Sequence, residues 1–255
     1  METWIGIMIP FLGTTIGAGF VFFLKEKVSD KLIAGFLALA AGIMVSASFF
    51  SLLLPALEAN GENNIVAVTL GFMLGGVFLG ILDKLLPHFH PNTNTVEGLP
   101  SHLKKSTMLI LAVTLHNIPE GMAVGLLYGV ALQSGEAAAF ASALALSIGI
   151  AIQNIPEGAA IALPLKKSGT SNKKAFVYGT LSGIVEPLGA LLAIAFVSQV
   201  SGIMPWFLSF AAGAMIYVVV EELIPEAQMD THSDKITFVF MLGFAIMMVL
   251  DVVLG

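Results

Sequence analysis

Apolar residues run along this chain in eight long stretches, which short polar segments separate. A helix needs about 20 apolar residues to cross roughly 30 Å of hydrocarbon, and each stretch has about that length. The pattern predicts an all-α polytopic membrane protein, a single transmembrane domain of eight helices. The predicted spans cover residues 4–24, 32–57, 65–86, 107–132, 137–165, 176–200, 203–225 and 236–254.

The composition excludes a water-soluble globule. Of 255 residues, 57% are apolar and 11% are charged, with a mean hydropathy of +0.93, whereas a soluble domain carries roughly 25% charged residues. The chain contains no cysteine, so disulfides, thiolate metal sites and cysteine nucleophiles are excluded. A net charge of −6 makes nucleic acid an unsuitable partner. The expected surroundings are therefore a lipid bilayer.

The lysines predict the orientation of the chain in the membrane. All eleven basic residues are lysine, and every one lies after an odd-numbered span, at one membrane face. By the positive-inside rule that face is cytoplasmic. The first stretch lacks a basic flank and a cleavage site, so it is predicted to be a span and not a signal peptide. We therefore expect a cell-membrane protein with both termini outside.

The one extended loop, residues 87–105, lies at the same cytoplasmic face. It is polar, contains prolines, and carries His88, His90 and His102. Solvated loop residues are the simpler interpretation of this composition. Three histidines in one loop also make His88 and His90 candidate metal ligands.

Two similarities within the chain predict inverted repeats. The motif His116-Asn-Ile-Pro-Glu-Gly121 in span four returns as Gln153-Asn-Ile-Pro-Glu-Gly158 in span five, 37 residues later. A pattern in span two returns in span seven at an offset of 171 residues (Gly42 to Gly213). Both pairs of spans run in opposite directions, as the inverted repeats of secondary transporters do. We therefore predict inverted repeats around a central antiparallel helix pair.

Several acidic residues fall at membrane depth. An ionisable side chain near the bilayer centre costs roughly 2.5–3.5 kcal/mol, so these groups need a bound cation, protonation or internal hydrogen bonds. Glu221 and Glu222 lie near the cytoplasmic end of span seven, where they are either solvated or part of an exit path. The acidic positions are Glu120, Glu157, Glu186, Glu221 and Glu222.

Helical geometry groups polar donors around two of these glutamates. At 100° per residue, Glu120 lies on one face between His116 and Asn117, and Glu157 has the same position in the second motif. Two such helices facing each other would form a plausible cage for two metal ions. Imidazole, carboxylate and amide donors suit Zn²⁺, Mn²⁺, Fe²⁺ or Cd²⁺. The candidate ligands in the two motifs are His116, Asn117, Glu120, Gln153, Asn154 and Glu157.

Proline and glycine positions add to this prediction. Pro119 and Pro156 each remove an amide donor, so we expect broken helices at mid-membrane, which mark binding sites in transporters. Gly121 and Gly158 are expected to allow close helix approach. Four glycines of span three form a helix-contact pattern that lies either at a homodimer interface or inside the bundle: Gly71, Gly75, Gly76 and Gly80.

The paired motifs, the Glu-Pro of span six and the eight-span topology resemble the ZIP (Zrt/Irt-like) divalent metal transporters, in particular their GufA-like bacterial branch. The resemblance implies that Glu120 and Glu157 bridge two metal ions, that Glu186 is a further ligand, and that Met44 adds a thioether. It also implies that spans one, four, five and six move as a unit against spans two, three, seven and eight.

The function predicted from these residues is import of a divalent transition metal into the cytoplasm by alternating access. Zinc is the first candidate ion, with cadmium, iron or manganese as alternatives, and the ion is the transported substrate, not a cofactor. A homodimer is expected. One alternative is a proton-coupled cation exchanger that uses the same acids. Another is an intramembrane metallohydrolase, although the sequence lacks a His-Glu-x-x-His motif.

Overall fold

Helices dominate the computed structural model, which describes residues 2–23, 30–59, 64–85, 88–90, 95–97, 99, 105–200, 203–227 and 234–254. The helices are α1 (Glu2–Ala18), α2 (Asp30–Ala47), α3 (Leu54–Glu58), α4 (Asn64–Leu85), α5 (Lys105–Ser134), α6 (Ala137–Lys167), α7 (Asn172–Ser182), α8 (Val185–Val200), α9 (Met204–Val218), α10 (Ile224–Ala227) and α11 (Asp234–Leu254).

The predicted fold class, a polytopic all-α membrane protein, is confirmed. Within the described residues, seven helical stretches are long and apolar enough to cross a membrane, and α5 adds a stretch of 30 residues that contains the first polar motif. The predicted spans overlap these helices. The largest difference lies at the start of span six, where α7 begins at Asn172 and the prediction began at 176.

Spans two and seven each contain a π-helical turn. These turns cover Ser48–Leu53, between α2 and α3, and Val219–Leu223, between α9 and α10. Pro55 and Pro225 follow them closely, and a proline clashes with the carbonyl four residues earlier. Those carbonyls lie inside the π-helical turns, where the wider spacing makes room for the ring. The shared distortion supports the predicted relation between the two spans.

The helices associate in two bundles. In the first bundle α1 packs on α6 and α5 packs on α8, and α7 completes the group; in the second bundle α2 packs on α11 and α4 packs on α9. Contacts of α2 and α11 with α6, and of α5 with α9, join the bundles. The central antiparallel pair, α5 and α6, therefore belongs to the first bundle.

Glycine contacts repeat between the two halves of the second bundle. A side chain at Gly42 would overlap the backbone of Phe240, and one at Gly213 would overlap the backbone of Phe72. Gly213 follows Gly42 by the 171 residues that relate span two to span seven, so the α2–α11 contact corresponds to the α4–α9 contact. A second pair of contacts corresponds in the same way: a side chain at Gly243 would overlap the backbone of Leu39, and one at Gly75 would overlap the backbone of Phe210. This repetition is what an inverted repeat requires.

Two of the glycines of span three, Gly71 and Gly75, are buried inside the bundle. Gly71 and Gly75 are pressed against the backbone of α9, and Gly80 faces the ring of Tyr217. Packing inside the bundle therefore accounts for Gly71 and Gly75. The homodimer stays a prediction without their support.

Two adjacent glycines of α4 offer a test of this packing. A Cβ at Gly75 would overlap the carbonyl of Phe210, whereas the nearest atom to a Cβ at Gly76 is a carbonyl oxygen 3.8 Å away. We expect Gly75→Ala to destabilise the protein by about 1–3 kcal/mol and Gly76→Ala to be neutral, because only the first forces helices apart. Thermal unfolding of the purified variants measures the difference, and equal melting temperatures would contradict the packing.

The loop between spans three and four contains a short hairpin. Strand β1 (His88–His90) pairs antiparallel with β2 (Thr95–Glu97), with His88 opposite Glu97. The side chains of His88 and His90, and the whole of His102, lie outside the described residues. Metal binding by the loop histidines stays a prediction.

Candidate metal site

Six of the predicted ligands are buried where α5, α6 and α8 meet. Each is at most 7% exposed, although all are polar or acidic. Such groups at membrane depth face the bundle interior because lipid cannot satisfy them. The buried candidate ligands are Asn117, Glu120, Gln153, Asn154, Glu157 and Glu186.

Hydrogen bonds connect these side chains across the helices. The Gln153 amide donates from Nε2 to Glu120 Oε1 at 2.7 Å, which joins α6 to α5. The Asn117 amide donates from Nδ2 to Glu186 Oε1 at 2.9 Å, which joins α5 to α8. The negative charge of Glu157 acts on both Glu120 and Glu186. The three carboxylates therefore form one electrostatic group.

These hydrogen bonds engage the amide N–H donors of the cluster but leave several carboxylate and amide oxygens without a donor. Among the described side chains, five buried oxygens of this cluster have no hydrogen-bond partner. An acceptor oxygen buried without a partner costs about 1–3 kcal/mol, and more when it is charged. Oxygens of this kind are ligands that divalent metals accept. The five atoms are Asn117 Oδ1, Glu120 Oε2, Gln153 Oε1, Asn154 Oδ1 and Glu186 Oε2.

The helix break lies in span six, and not where the prolines of the two motifs predicted it. Helices α5 and α6 continue through Pro119 and Pro156, so the expected breaks there are wrong. Span six instead divides between α7 and α8, and Glu186 lies in the first turn of α8. Pro187 cannot donate to the carbonyl of Gly183, and the Glu186 amide donates to it instead at 3.1 Å. The positive end of the α8 dipole favours the negative carboxylate there.

The first helix contributes contacts that the sequence analysis missed. The Thr14 hydroxyl donates to Glu186 Oε1 at 3.0 Å, and the Asn154 amide donates to the carbonyl of Pro10 at 3.3 Å. Little in the sequence indicated the role of Thr14, since a threonine in an apolar span is common. Two flanking glycines, Gly13 and Gly17, marked this helix for close packing on α6, and both are pressed against its backbone.

Close helix approach at the two motif glycines is confirmed. A side chain at Gly121 would overlap the backbone of Glu186, and a side chain at Gly158 would overlap the carbonyl of Thr14. Each glycine follows a motif glutamate directly. The glycines therefore bring α8 and α1 to the carboxylates of Glu120 and Glu157.

Other predicted ligands are less directly placed. His116 lies within α5, but its side chain is outside the described part of the structure. Met44 is fully buried in the apolar core on α2. Glu221 is exposed and Glu222 is half-buried in the π-helical turn of span seven. Each of these residues stays a predicted ligand.

The donor set is mixed in character. Among the described side chains, no group of three or more His, Cys, Asp or Glu residues has the spacing of a metal site. At this cluster, carboxylates alternate with neutral amides instead. Amide oxygens are weaker ligands than thiolates, so the cluster is suited to reversible binding of a divalent ion.

The chain is similar in sequence to proteins that are named as zinc transporters. Residues 95–251 match the protein family described as ZIP Zinc transporter. The chain is 34% identical over 335 residues to zinc transporter ZIP11 of Homo sapiens, covering 100% of this chain and 97% of that protein. It is 35% identical over 254 residues to zinc transporter GufA of Myxococcus xanthus, covering 95% and 96%. It is 37% identical over 252 residues to zinc transporter ZIPB of Bordetella bronchiseptica, covering 96% and 79%.

Proposed function

This chain is a member of the ZIP family of zinc transporters, and from that premise we propose that it imports a divalent transition metal, zinc first of all, into the cytoplasm. It is a multi-pass membrane protein. Its relatives are named as transporters, so it is not an enzyme, and the metallohydrolase alternative has no support. Cadmium, iron and manganese remain candidate ions.

The observation that carries this proposal is the surplus of acceptor oxygens at the cluster. Three carboxylates lie in a group whose described hydrogen-bond donors are already engaged, and five oxygens remain without a partner among the described atoms. A divalent cation both neutralises the carboxylates and accepts these oxygens as ligands. Internal hydrogen bonds, one of the three ways to repay the burial cost, do not account for these atoms.

The remaining oxygens divide into two groups, which supports a binuclear site. Glu120 Oε2 and Gln153 Oε1 belong to side chains that are bonded to each other. The second group lies around Glu186, which Asn117 contacts at 2.9 Å and Asn154 also reaches. Glu157 acts electrostatically on both groups. In this proposal His116 joins the first group, and Glu120 and Glu157 bridge the two ions.

Transport proceeds by alternating access in this proposal. The first bundle holds the cluster and moves against the second bundle, so that the ion faces each side of the membrane in turn. In this proposal the termini lie outside a cell membrane and the loops that follow odd-numbered spans lie inside, and the positions of the lysines support this orientation. Neutral amide ligands in place of thiolates hold the ion loosely enough for release. A homodimer is the proposed assembly.

Uptake into proteoliposomes tests the transport activity. We expect vesicles that contain the protein to accumulate Zn²⁺, seen with an enclosed metal-sensitive dye, well above protein-free vesicles. Parallel traces with Cd²⁺, Mn²⁺ and Fe²⁺ rank the ions, and a cytosolic zinc dye in expressing cells reports the direction. Equal dye signals with and without protein would overturn the proposal.

A second dye separates the proton-exchanger alternative. Vesicles that carry a pH-sensitive dye are given a proton gradient with all divalent metal removed by chelator. Proton flux under these conditions, without zinc uptake, would favour an exchanger that binds no metal. We expect no protein-dependent proton flux until zinc is supplied.

A further inference from the structure

Thr14 differs from its neighbour Thr15 in the use of its hydroxyl. Thr15 donates to the carbonyl of Phe11 at 2.9 Å, four residues earlier in the same helix. Threonines in membrane helices commonly satisfy themselves in this way. Thr14 is fully buried, and its hydroxyl donates to the carboxylate of Glu186 instead. The contact joins α1 to α8 directly at the cluster of candidate metal ligands.

Close packing fixes this contact from two sides. A Cβ at Gly183 would lie 2.8 Å from Thr14 Oγ1 and 3.0 Å from Glu186 Oε1, closer than a side chain can pack. A Cβ at Gly158 would overlap the carbonyl of Thr14. Glycine at both positions lets the hydroxyl reach the carboxylate. Thr14 is therefore held in place by the helix break in span six and by the second motif.

The two oxygens of Glu186 have different surroundings. Oε1 accepts two hydrogen bonds, one from Thr14 at 3.0 Å and one from Asn117 at 2.9 Å. Oε2 is buried and has no partner among the described atoms. Because Thr14 and Asn117 both donate to Oε1, Oε2 is left as the available ligand atom of this carboxylate.

We propose that Thr14 is a positioning residue that restricts Glu186 to binding metal through one oxygen, Oε2. The inference rests on the proposed function and adds to it a determinant of ion choice. Zn²⁺ in proteins takes about four ligands, whereas larger cations accept more oxygens and bidentate carboxylates. A carboxylate limited to one oxygen therefore favours zinc over larger ions. Hydrogen-bonding partners of metal ligands typically change affinity by about 10–100-fold.

Zinc titration of the purified full-length protein, with metal alone as the probe, tests the assignment. We expect Thr14→Val, which keeps the shape and removes the hydroxyl, to raise the Kd for Zn²⁺ about tenfold or more. Cd²⁺ affinity should fall less, because the released Oε1 becomes available to the larger ion. Thr14→Ser should restore zinc affinity to within about twofold, since the donor returns. Thr15→Val is the matched control and should equal wild type.

Two further measurements exclude a merely structural effect. The visible absorption of bound Co²⁺ reports ligand number, and we expect it to change in Thr14→Val and to return in Thr14→Ser. Gly183→Ala keeps the hydroxyl but drives it from the carboxylate, so it should reproduce the loss of zinc affinity even where Thr14→Val folds poorly. Wild-type affinity and an unchanged Co²⁺ spectrum in Thr14→Val would overturn the inference, and so would failure of Thr14→Ser to restore binding.

Glu186→Gln separates this inference from the function on which it rests. The amide oxygen of glutamine can accept both hydrogen bonds, while its nitrogen replaces the ligand atom Oε2. If wild type binds zinc, Glu186→Gln loses binding and Thr14→Val binds as wild type, the positioning role alone is wrong. If wild type binds no zinc, the proposed function and the inference both fall.

Discussion

Zinc uptake by the Glu120→Gln protein is expected to fall at least about tenfold below wild type, since loss of a ligand should cost no less than the roughly 10–100-fold typical for loss of a ligand's hydrogen-bond partner. The substitution is nearly isosteric. The glutamine oxygen can keep the hydrogen bond from Gln153 at Oε1, while an amide nitrogen replaces Oε2, one of the oxygens without a partner. Initial uptake rates in dye-loaded proteoliposomes measure the change.

The fold should survive this substitution. A buried carboxylate without a compensating cation is costly, so its removal is neutral or stabilising in metal-free protein. Zinc should raise the melting temperature of wild type by ligand linkage and leave the melting temperature of Glu120→Gln unchanged. Glu136→Gln, at an exposed glutamate between α5 and α6, is the control and should transport as wild type does. Normal uptake by Glu120→Gln would remove the central cluster from the mechanism.

Gly121→Ala is expected to destabilise the protein by about 3 kcal/mol and to abolish transport. The added methyl group would overlap the backbone of Glu186, and backbone cannot move aside as a flexible side chain can. Overpacking costs typically 1–3 kcal/mol, and this contact lies at the upper end because two helices must separate. For a chain of this size the melting temperature should fall by about 6–12 °C. Thermal unfolding of the purified protein measures the shift.

Gly35→Ala provides the matched control for this prediction. Gly35 also lies within a membrane helix, α2, and nothing described lies within 4 Å of a Cβ there. Alanine is the better helix former, so this variant should be as stable as wild type or more stable. If both variants unfold at the same temperature, the close approach of α5 to α8 is not what stabilises the fold.

The sequence predicted the helices well because hydrocarbon imposes a simple requirement on them. Each span must satisfy its own backbone hydrogen bonds, so length and apolar composition suffice to locate it. The buried acids were equally accessible to prediction, because a charge at membrane depth requires compensation. The sequence also predicted that the two motifs face each other, and the structure joins them through the hydrogen bond from Gln153 to Glu120 at 2.7 Å.

Contacts between distant segments were beyond such reasoning. Thr14 and Glu186 are 172 residues apart, and no local pattern connects them. The break in span six was missed because the helix breaks were predicted at the motif prolines, Pro119 and Pro156. Gly183 and Pro187, a glycine followed four residues later by a proline, carried the better signal.

The glycines of span three illustrate a further limit. A Gly-xxx-Gly spacing shows that a helix is closely approached but not by which partner. Only the structure identifies α9 as the partner of Gly71 and Gly75. The same spacing could have belonged to a second copy of the chain.

All the described hydrogen bonds of the cluster connect helices of the first bundle, namely α1, α5, α6 and α8. If the first bundle moves as a rigid body, as proposed, a bound ion and its oxygen ligands would move with it, and no hydrogen bond between these side chains would break. Met44 stands apart, because it is attached to the second bundle. In the proposed movement its sulfur would therefore bind the ion in only one of the two orientations of the first bundle, and the ion would lose this ligand in the other.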